Sequence, residues 1–486
     1  MHADDYARLA EQYLSCLRRE EYLHYAGLKP SLETGQVAED FAPLFTREAV
    51  QERLDSAADP EGRCLAEFAA HGYLDRRLAP ITQRIAEAET SAEVACNGAV
   101  TSFRAACRQL ALEPDRERRQ ALSQAVDDCL SCHNPLREER IAAQRALARE
   151  LGFDSYLHLC EALSGQPLRE HARAMAAFLE DSEQAYLAAL TQALEQAGLP
   201  PREATAADVT WLVLGPRYQA CFPRDKLIPS ARATLAGLGI QLARQHNLRL
   251  DLEPRPHKHP RPFCSPIAVP AEIVVVASPG DGLVDYLSFF HELGHAEHFG
   301  HITPELPVPW RLMGDYAVTE AFAFLFQHIV CEPEWLCTAL SLRDAPEDLL
   351  AFVHLLDFWC LRLPAGRLLY ECELHGDISP TSGMAVRYVE TVGRAVGARV
   401  SPQAYLAEVD DGFYCARYLR AWMLEASLRQ AMQQRFGPSW FRSAEAGSWL
   451  RSLWRRGTEL SAEELAQHLH LPLDTQLLRQ RFLSHP

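Results

Sequence analysis

The sequence predicts a mainly α-helical protein with one small β-sheet. Three observations carry this. Ala, Leu, Glu and Arg dominate while glycine is scarce, 25 in 486 residues, and those four residue types are strong helix formers. The first two hundred residues repeat apolar positions at three- and four-residue steps, the period of a helix with one buried face. Only two short runs, 248–253 and 272–278, read as strands.

The elements follow in order. DDYARLAEQYLSCLRREEYLHY, from Asp4, is an amphipathic helix. Further helices are expected at about 61–88, 91–112, 115–130, 134–151 and 168–198. Their joints are short and hold Pro, Gly or Asp, as at Asp59-Pro60, Glu113-Pro114 and Gly198-Leu199-Pro200-Pro201. Long helices with short joints imply a bundle. Past residue 222 proline becomes frequent. LRLDLE (248–253) alternates apolar and polar, and EIVVVAS (272–278) is β-branched and ends at the turn Pro279-Gly280-Asp281-Gly282. Between them PRPHKHPRPFCSP is too rich in proline for regular structure. Helices resume at about 283 and continue to the end. This gives a helical N-terminal lobe, 1–200, and a region 201–486 with the small sheet and the C-terminal helices.

Composition excludes several functions. The apolar fraction is 48% and the charged fraction 23%, which is globular. A formal net charge of -17 repels nucleic acid and anionic membrane, so neither is an expected partner. No run of eighteen apolar residues suggests a transmembrane helix. The start, MHADDYARLAEQ, lacks the basic-then-apolar order of a secretory signal. The 14 cysteines are irregularly spaced and read as reduced thiols, which fits a cytoplasmic location. Cys129, Cys132 and His133 spell CLSCH, the pattern of c-type haem attachment. With no export signal the segment reads instead as a helix–helix junction near Pro135.

One motif carries chemistry. LVDYLSFFHELGHAEHFGH contains HExxH, made by His291, Glu292 and His295. On a helix, residues four apart lie about 40° apart around the axis. Both imidazoles then face one way and can bind one zinc ion. Glu292 stands beside them, able to take a proton from a water on the metal. Five letters arise by chance with a probability on the order of 5% in a His-rich chain. The ordinary alternative is a polar helix face. Against it, the helix is apolar nearly all round (Val284, Leu287, Phe289, Phe290, Leu293), so it should be buried. Buried imidazoles and a carboxylate need strong partners. Gly294 costs about 1 kcal/mol inside a helix, so something must need the space it leaves.

A catalytic zinc needs a third protein ligand and an open position. Glu297, Glu305, Asp315 and Glu320 lie downstream. Asp315 and Glu320, in GDYAVTEAFAFLFQHIV, are the serious candidates. Glu320 opens a strongly apolar helix, although an acid there also suits a helix N-terminus. Asp315 could instead cap that helix or orient a ligand histidine.

HELGHAEH resembles the HExGHxxH of the thimet oligopeptidase and oligoendopeptidase F family of zinc metallopeptidases. That family's third ligand is a Glu twenty-five residues after the second His, the place of Glu320. Other segments are similar to the family: DLEPRPHKHPRPF ahead of the sheet, RLPAGRLLYECELH from Arg362, GFYCARYLRAW from Gly412, and HNPLREERIAAQRALARELGFDSY. The likeness covers roughly 120–486 and is specific around the zinc motif.

The resemblance implies a mainly α, two-lobed zinc-metallopeptidase fold in which a small sheet lines a deep central channel. It implies one zinc per chain on His291, His295 and Glu320, with Glu292 as general base and then proton donor. Oligopeptides are the implied substrates, paired along the edge of the sheet, for which the strand at 272–277 is the candidate. Tyr414 or Tyr418, one turn apart, is implied to hydrogen-bond the oxyanion. A family His ahead of this motif is replaced here by Asp410 and Asp411, which puts the oxyanion apparatus in question. His298 reads as a packing residue or one that supports a ligand from behind, since a fourth ligand would close the site. His257 and His259 read as solvated loop residues. The expected activity is hydrolysis of internal bonds in short peptides. The alternatives are a catalytically degenerate zinc-bearing relative that binds peptides or a partner protein without cleaving them, and a specialised peptide-maturation amidohydrolase.

Overall fold

A computed structural model describes residues 1–96, 98–215, 217–343, 347–376 and 381–483. The chain is mainly helical, as its composition dictates. The longest helices are Ala3–Tyr25, Pro60–Ser91, Arg116–Glu150, Leu168–Gln196, Glu347–Gly376 and Tyr414–Phe436. Among the described residues the strands form two small sheets. One is the antiparallel pair β1 (Glu93–Cys96) and β2 (Ala99–Ser102). The other joins β3 (Leu248–Asp251), β4 (Phe263–Ala268) and β5 (Glu272–Val276) in the order β3-β5-β4.

Four local expectations are corrected. The stretch 91–112 is not one helix but the hairpin β1–β2 followed by the helix Phe103–Leu110. Gly98, at φ +79, turns the chain where a helix would have continued. The break expected near Pro135 does not occur, and a single helix runs from Arg116 to Glu150. Its buried stripe, Leu122, Val126, Leu130, His133, Arg137 and Ile141, stays in phase through the proline. Burying that stripe outweighs the roughly 3 kcal/mol that an internal proline costs. CLSCH therefore lies inside a helix, and none of the cysteines is in a disulfide. The proline-rich stretch after 253 contains β4. Pro266 is tolerated there because the N–H it lacks would face the outer side of the strand, as that of Cys264 does.

The fourth correction concerns the strand at 272–277. It is not an edge. β5 pairs with β3 in parallel (Leu248 opposite Ile273) and with β4 antiparallel (Cys264 opposite Val275). Ile273, Val274, Val275 and Val276 are all fully buried. A strand flanked on both sides reads as a continuous apolar run, which is what EIVVV is.

The chain forms two compact units, each discontinuous in sequence. The first comprises Met1–Tyr73, Pro216–Glu347 and Arg420–Asp474. The second comprises Leu74–Gly215, Asp348–Leu419 and Thr475–Pro486. This partition differs from a single boundary near residue 200. Periodicity shows where a helix ends, not which other helices share its core.

In the first unit, Tyr22 and Ala26 of the N-terminal helix pack on Ile267, Val274 and Val276 of the sheet. Lys258 ties the strand ends to the preceding loop. Its Nζ donates to the carbonyls of Asp251, Glu253 and Ala277, each at 2.9 Å. His257 is exposed in that loop. In the second unit, the helix Glu347–Gly376 is long and apolar enough by composition to cross a membrane. It nevertheless carries the buried polar residues Asp357, Arg362, Glu371 and His375. Arg362 donates to Ser182 Oγ at 2.6 Å and to the Ala395 carbonyl at 2.8 Å, as a helix in a protein core requires.

Candidate metal centre

Two helices of the first unit build the centre. The HELGH helix, Leu283–His301, starts at Gly282, whose φ of +117 only glycine adopts freely. It packs on β4 and β5 and against the helix Tyr316–Ile329. Gly294 makes that second contact possible. A Cβ there would lie 2.7 Å from Ala323 Cα and 2.8 Å from the Phe322 carbonyl oxygen. The space glycine leaves is filled by the backbone of the neighbouring helix.

This approach brings Glu320 to the two histidines. His291 Nε2 lies 3.3 Å from Glu320 Oε2, and His295 Nε2 lies 3.5 Å from Glu320 Oε1. The three ligand atoms fall within 4.8 Å of one another. Burial acts to raise the Glu320 carboxyl, but the His295 and His291 imidazoles outweigh it and hold it well below the usual carboxylate range. Burial acts against charge on His295, and the Glu320 carboxylate reverses this. The group thus brings one ionised carboxylate and two imidazole nitrogens together at a single point.

Asp315 is not part of this group. It caps the helix Tyr316–Ile329 by accepting from Ala317 N at 3.0 Å. It also binds Arg420 at 3.0 and 2.5 Å and accepts from Ala462 N at 2.9 Å. Its carboxylate anchors the start of the helix that carries Glu320. Glu297 and His298 are fully buried and outside the group. Burial pushes the Glu297 carboxyl up to about 7 and the His298 imidazole down to about 3.

Three contacts at the site were not foreseen. His291 Nδ1 lies 3.0 Å from Gln327 Oε1, and His295 Nδ1 lies 2.9 Å from Thr319 Oγ1. Both partners come from the helix that supplies Glu320. The backbone N–H of Cys264, on the outer side of β4, donates to Glu292 Oε2 at 2.8 Å. Glu292 Oε1 has no hydrogen bond among the described residues. Gln327 had a signal in the sequence, as a polar residue within AFAFLFQHIV. The Cys264 amide had none, because every residue but proline carries one.

Tyr414 and Tyr418 lie on the first turns of the helix Tyr414–Phe436, Tyr414 exposed and Tyr418 half-buried, and both belong to the second unit. A second convergent group is made by Glu371, Asp410 and Cys415, the last of which sits between the two tyrosines on their helix. It is satisfied internally. Glu371 Oε1 accepts from Asp410 N at 3.0 Å, and Cys415 Sγ donates to Oε2 at 3.2 Å. Burial, then the Asp410 charge, pushes the Glu371 carboxyl up to about 8. A neutral acid that fastens a turn is a poor cation ligand.

That shift has a measurable consequence. The unfolded chain loses the Glu371 proton near 4.5, while the folded protein keeps it to about 8. The raised pKa contributes stability that is full below the unfolded value and lost as pH rises through the folded one. Glu371→Gln cannot ionise. Thermal melts from pH 5 to pH 9 should show the wild type losing roughly 2–4 °C or more relative to this variant. Parallel curves would show that Glu371 is already ionised in the folded protein.

No family model and no curated protein matches the chain. The fold does have a solved counterpart. The structure of PZ peptidase A with an inhibitor superimposes with a TM-score of 0.70, over 98% of this chain and 90% of that one, at 13% identity. The likeness extends over both units and establishes the fold.

Proposed function

We propose that the protein is a zinc-dependent metallopeptidase that hydrolyses internal bonds of short, unstructured peptides. The observation that carries this is the meeting of His291, His295 and Glu320, with Glu292 one residue from the first ligand. The donor set suits zinc. Two imidazole nitrogens and a carboxylate are a common catalytic set, and tetrahedral zinc places such ligand atoms about 3.3 Å apart. The observed 3.3 and 3.5 Å agree. The peptidase fold of the structural counterpart supports the same reading.

His291, His295 and Glu320 would hold one ion per chain. When bound, zinc supplies Lewis acidity that makes a water acidic near neutral pH. Glu292 would act as the base, holding a proton on Oε1 while the Cys264 N–H steadies Oε2, and would then pass that proton to the leaving amine nitrogen. A peptide reaching Glu292 would pass β4, not β5, because the outer side of β4 faces Glu292 at Cys264. The Cys264 N–H is already given to Glu292 and Pro266 has none, so the peptide would not add a fully paired strand there. Even partial pairing with a strand needs an extended, unpaired backbone, which a folded protein does not offer.

Short peptides, denatured casein and a folded protein, incubated with and without chelator and read by mass spectrometry, test this. Internal cleavage of the peptides is expected, abolished by chelator and restored by zinc, with folded protein untouched. Chelator-insensitive cleavage would remove the metal from the mechanism. Complete digestion of casein would remove the limit to short peptides.

A further inference from the structure

We infer that Gln327, together with Thr319, positions the metal-binding histidines and sets the affinity of the centre. The inference rests on the metallopeptidase reading and adds residues to it. The helix Tyr316–Ile329 is otherwise nearly all apolar and buried, from Ala321 to Phe326 and again at Ile329. Gln327 is only half-buried in that run, and its amide oxygen is directed at His291.

Gln327 Oε1 can only accept, so at 3.0 Å it requires the proton of His291 to sit on Nδ1. That leaves the Nε2 lone pair directed towards Glu320, 3.3 Å away, where a cation would be held. Thr319 Oγ1, at 2.9 Å, is placed to do the same for His295 by accepting from its Nδ1. A ring held at one nitrogen cannot rotate the other out of the ligand position. Thr319, Glu320 and Gln327 lie on one helix, so a single rigid element carries the third ligand and both orienting groups. Both groups are neutral. The centre therefore gains orientation without a further negative charge beside Glu320 and Glu292.

Zinc affinity, measured by competition with a fluorescent chelator, tests this alongside thermal melts of the metal-free proteins. Gln327→Leu keeps the bulk and removes the acceptor. Gln327→Glu restores an acceptor. Thr319→Val and Thr319→Ser make the same pair of changes at His295. Gln327→Leu and Thr319→Val are expected to weaken zinc binding by roughly 10–100-fold with metal-free melting unchanged. Gln327→Glu and Thr319→Ser should return it to within a few-fold of wild type. Equal loss in both members of a pair would assign that residue to packing and overturn its part of the inference. Unchanged affinity in Gln327→Leu, with wild type binding zinc, would overturn the inference alone. Wild-type protein that binds no zinc would overturn the metallopeptidase reading and this inference with it.

Discussion

Glu292→Gln is expected to keep its zinc and lose peptide turnover by roughly three to four orders of magnitude. The substitution preserves shape and volume, and its amide oxygen can still accept the Cys264 N–H. What it lacks is a site for the proton. In the wild type Oε2 is engaged and Oε1 is open, so the carboxylate is held and oriented without being used up. The amide nitrogen cannot take a proton from water, nor return one to the leaving amine. Both activation and departure therefore fail through one atom. Turnover of a fluorogenic peptide, with zinc content measured on the same sample, separates the two effects. Near-normal turnover in the zinc-loaded variant would refute Glu292 as the base.

Glu320→Ala and Asp315→Ala should fail in opposite ways. Glu320→Ala removes the only carboxylate in the converging group, so zinc content should fall to a small fraction of wild type. Melting should change little, because two histidines left facing each other can become neutral. Asp315→Ala should retain most of the zinc and lose about 3 kcal/mol of stability. That loss comes from Arg420, a buried guanidinium that would keep Glu463 but lose its other carboxylate partner. It also comes from the uncapped start of the helix Tyr316–Ile329. Metal analysis beside thermal melts distinguishes them. The reverse pattern, zinc lost only in Asp315→Ala, would show that the structural group is not the metal site.

The sequence makes some of this legible and hides the rest for definable reasons. Gly294 was legible as an anomaly, a helix breaker in a buried helix, but not what filled its space. Glu320 and Asp315 were both acids near the head of one apolar helix. Only the packing of that helix on the HELGH helix brings Glu320 to the histidines, while Arg420 and Ala462, distant in sequence, engage Asp315. Pro135 carried a strong local signal for a break, and a stripe of long-range burial overrode it. EIVVV reads as a strand without ambiguity, yet whether it lies at an edge depends on where 248–251 and 263–268 pair.

By itself the sequence determined the helical class and the pairing of His291 with His295 around Glu292. These are local facts. Composition sets helix propensity, and a four-residue spacing places two side chains on one face whatever the rest of the chain does. Tertiary structure brought Glu320, which the family resemblance had implied, to the histidines, and it alone decided the groups that hold the imidazoles, the amide beside Glu292, and the strand that faces it. Each is a contact between segments tens of residues or more apart in the chain. Such contacts are fixed by shape, burial and the satisfaction of buried polar groups across the whole core, which no local pattern encodes.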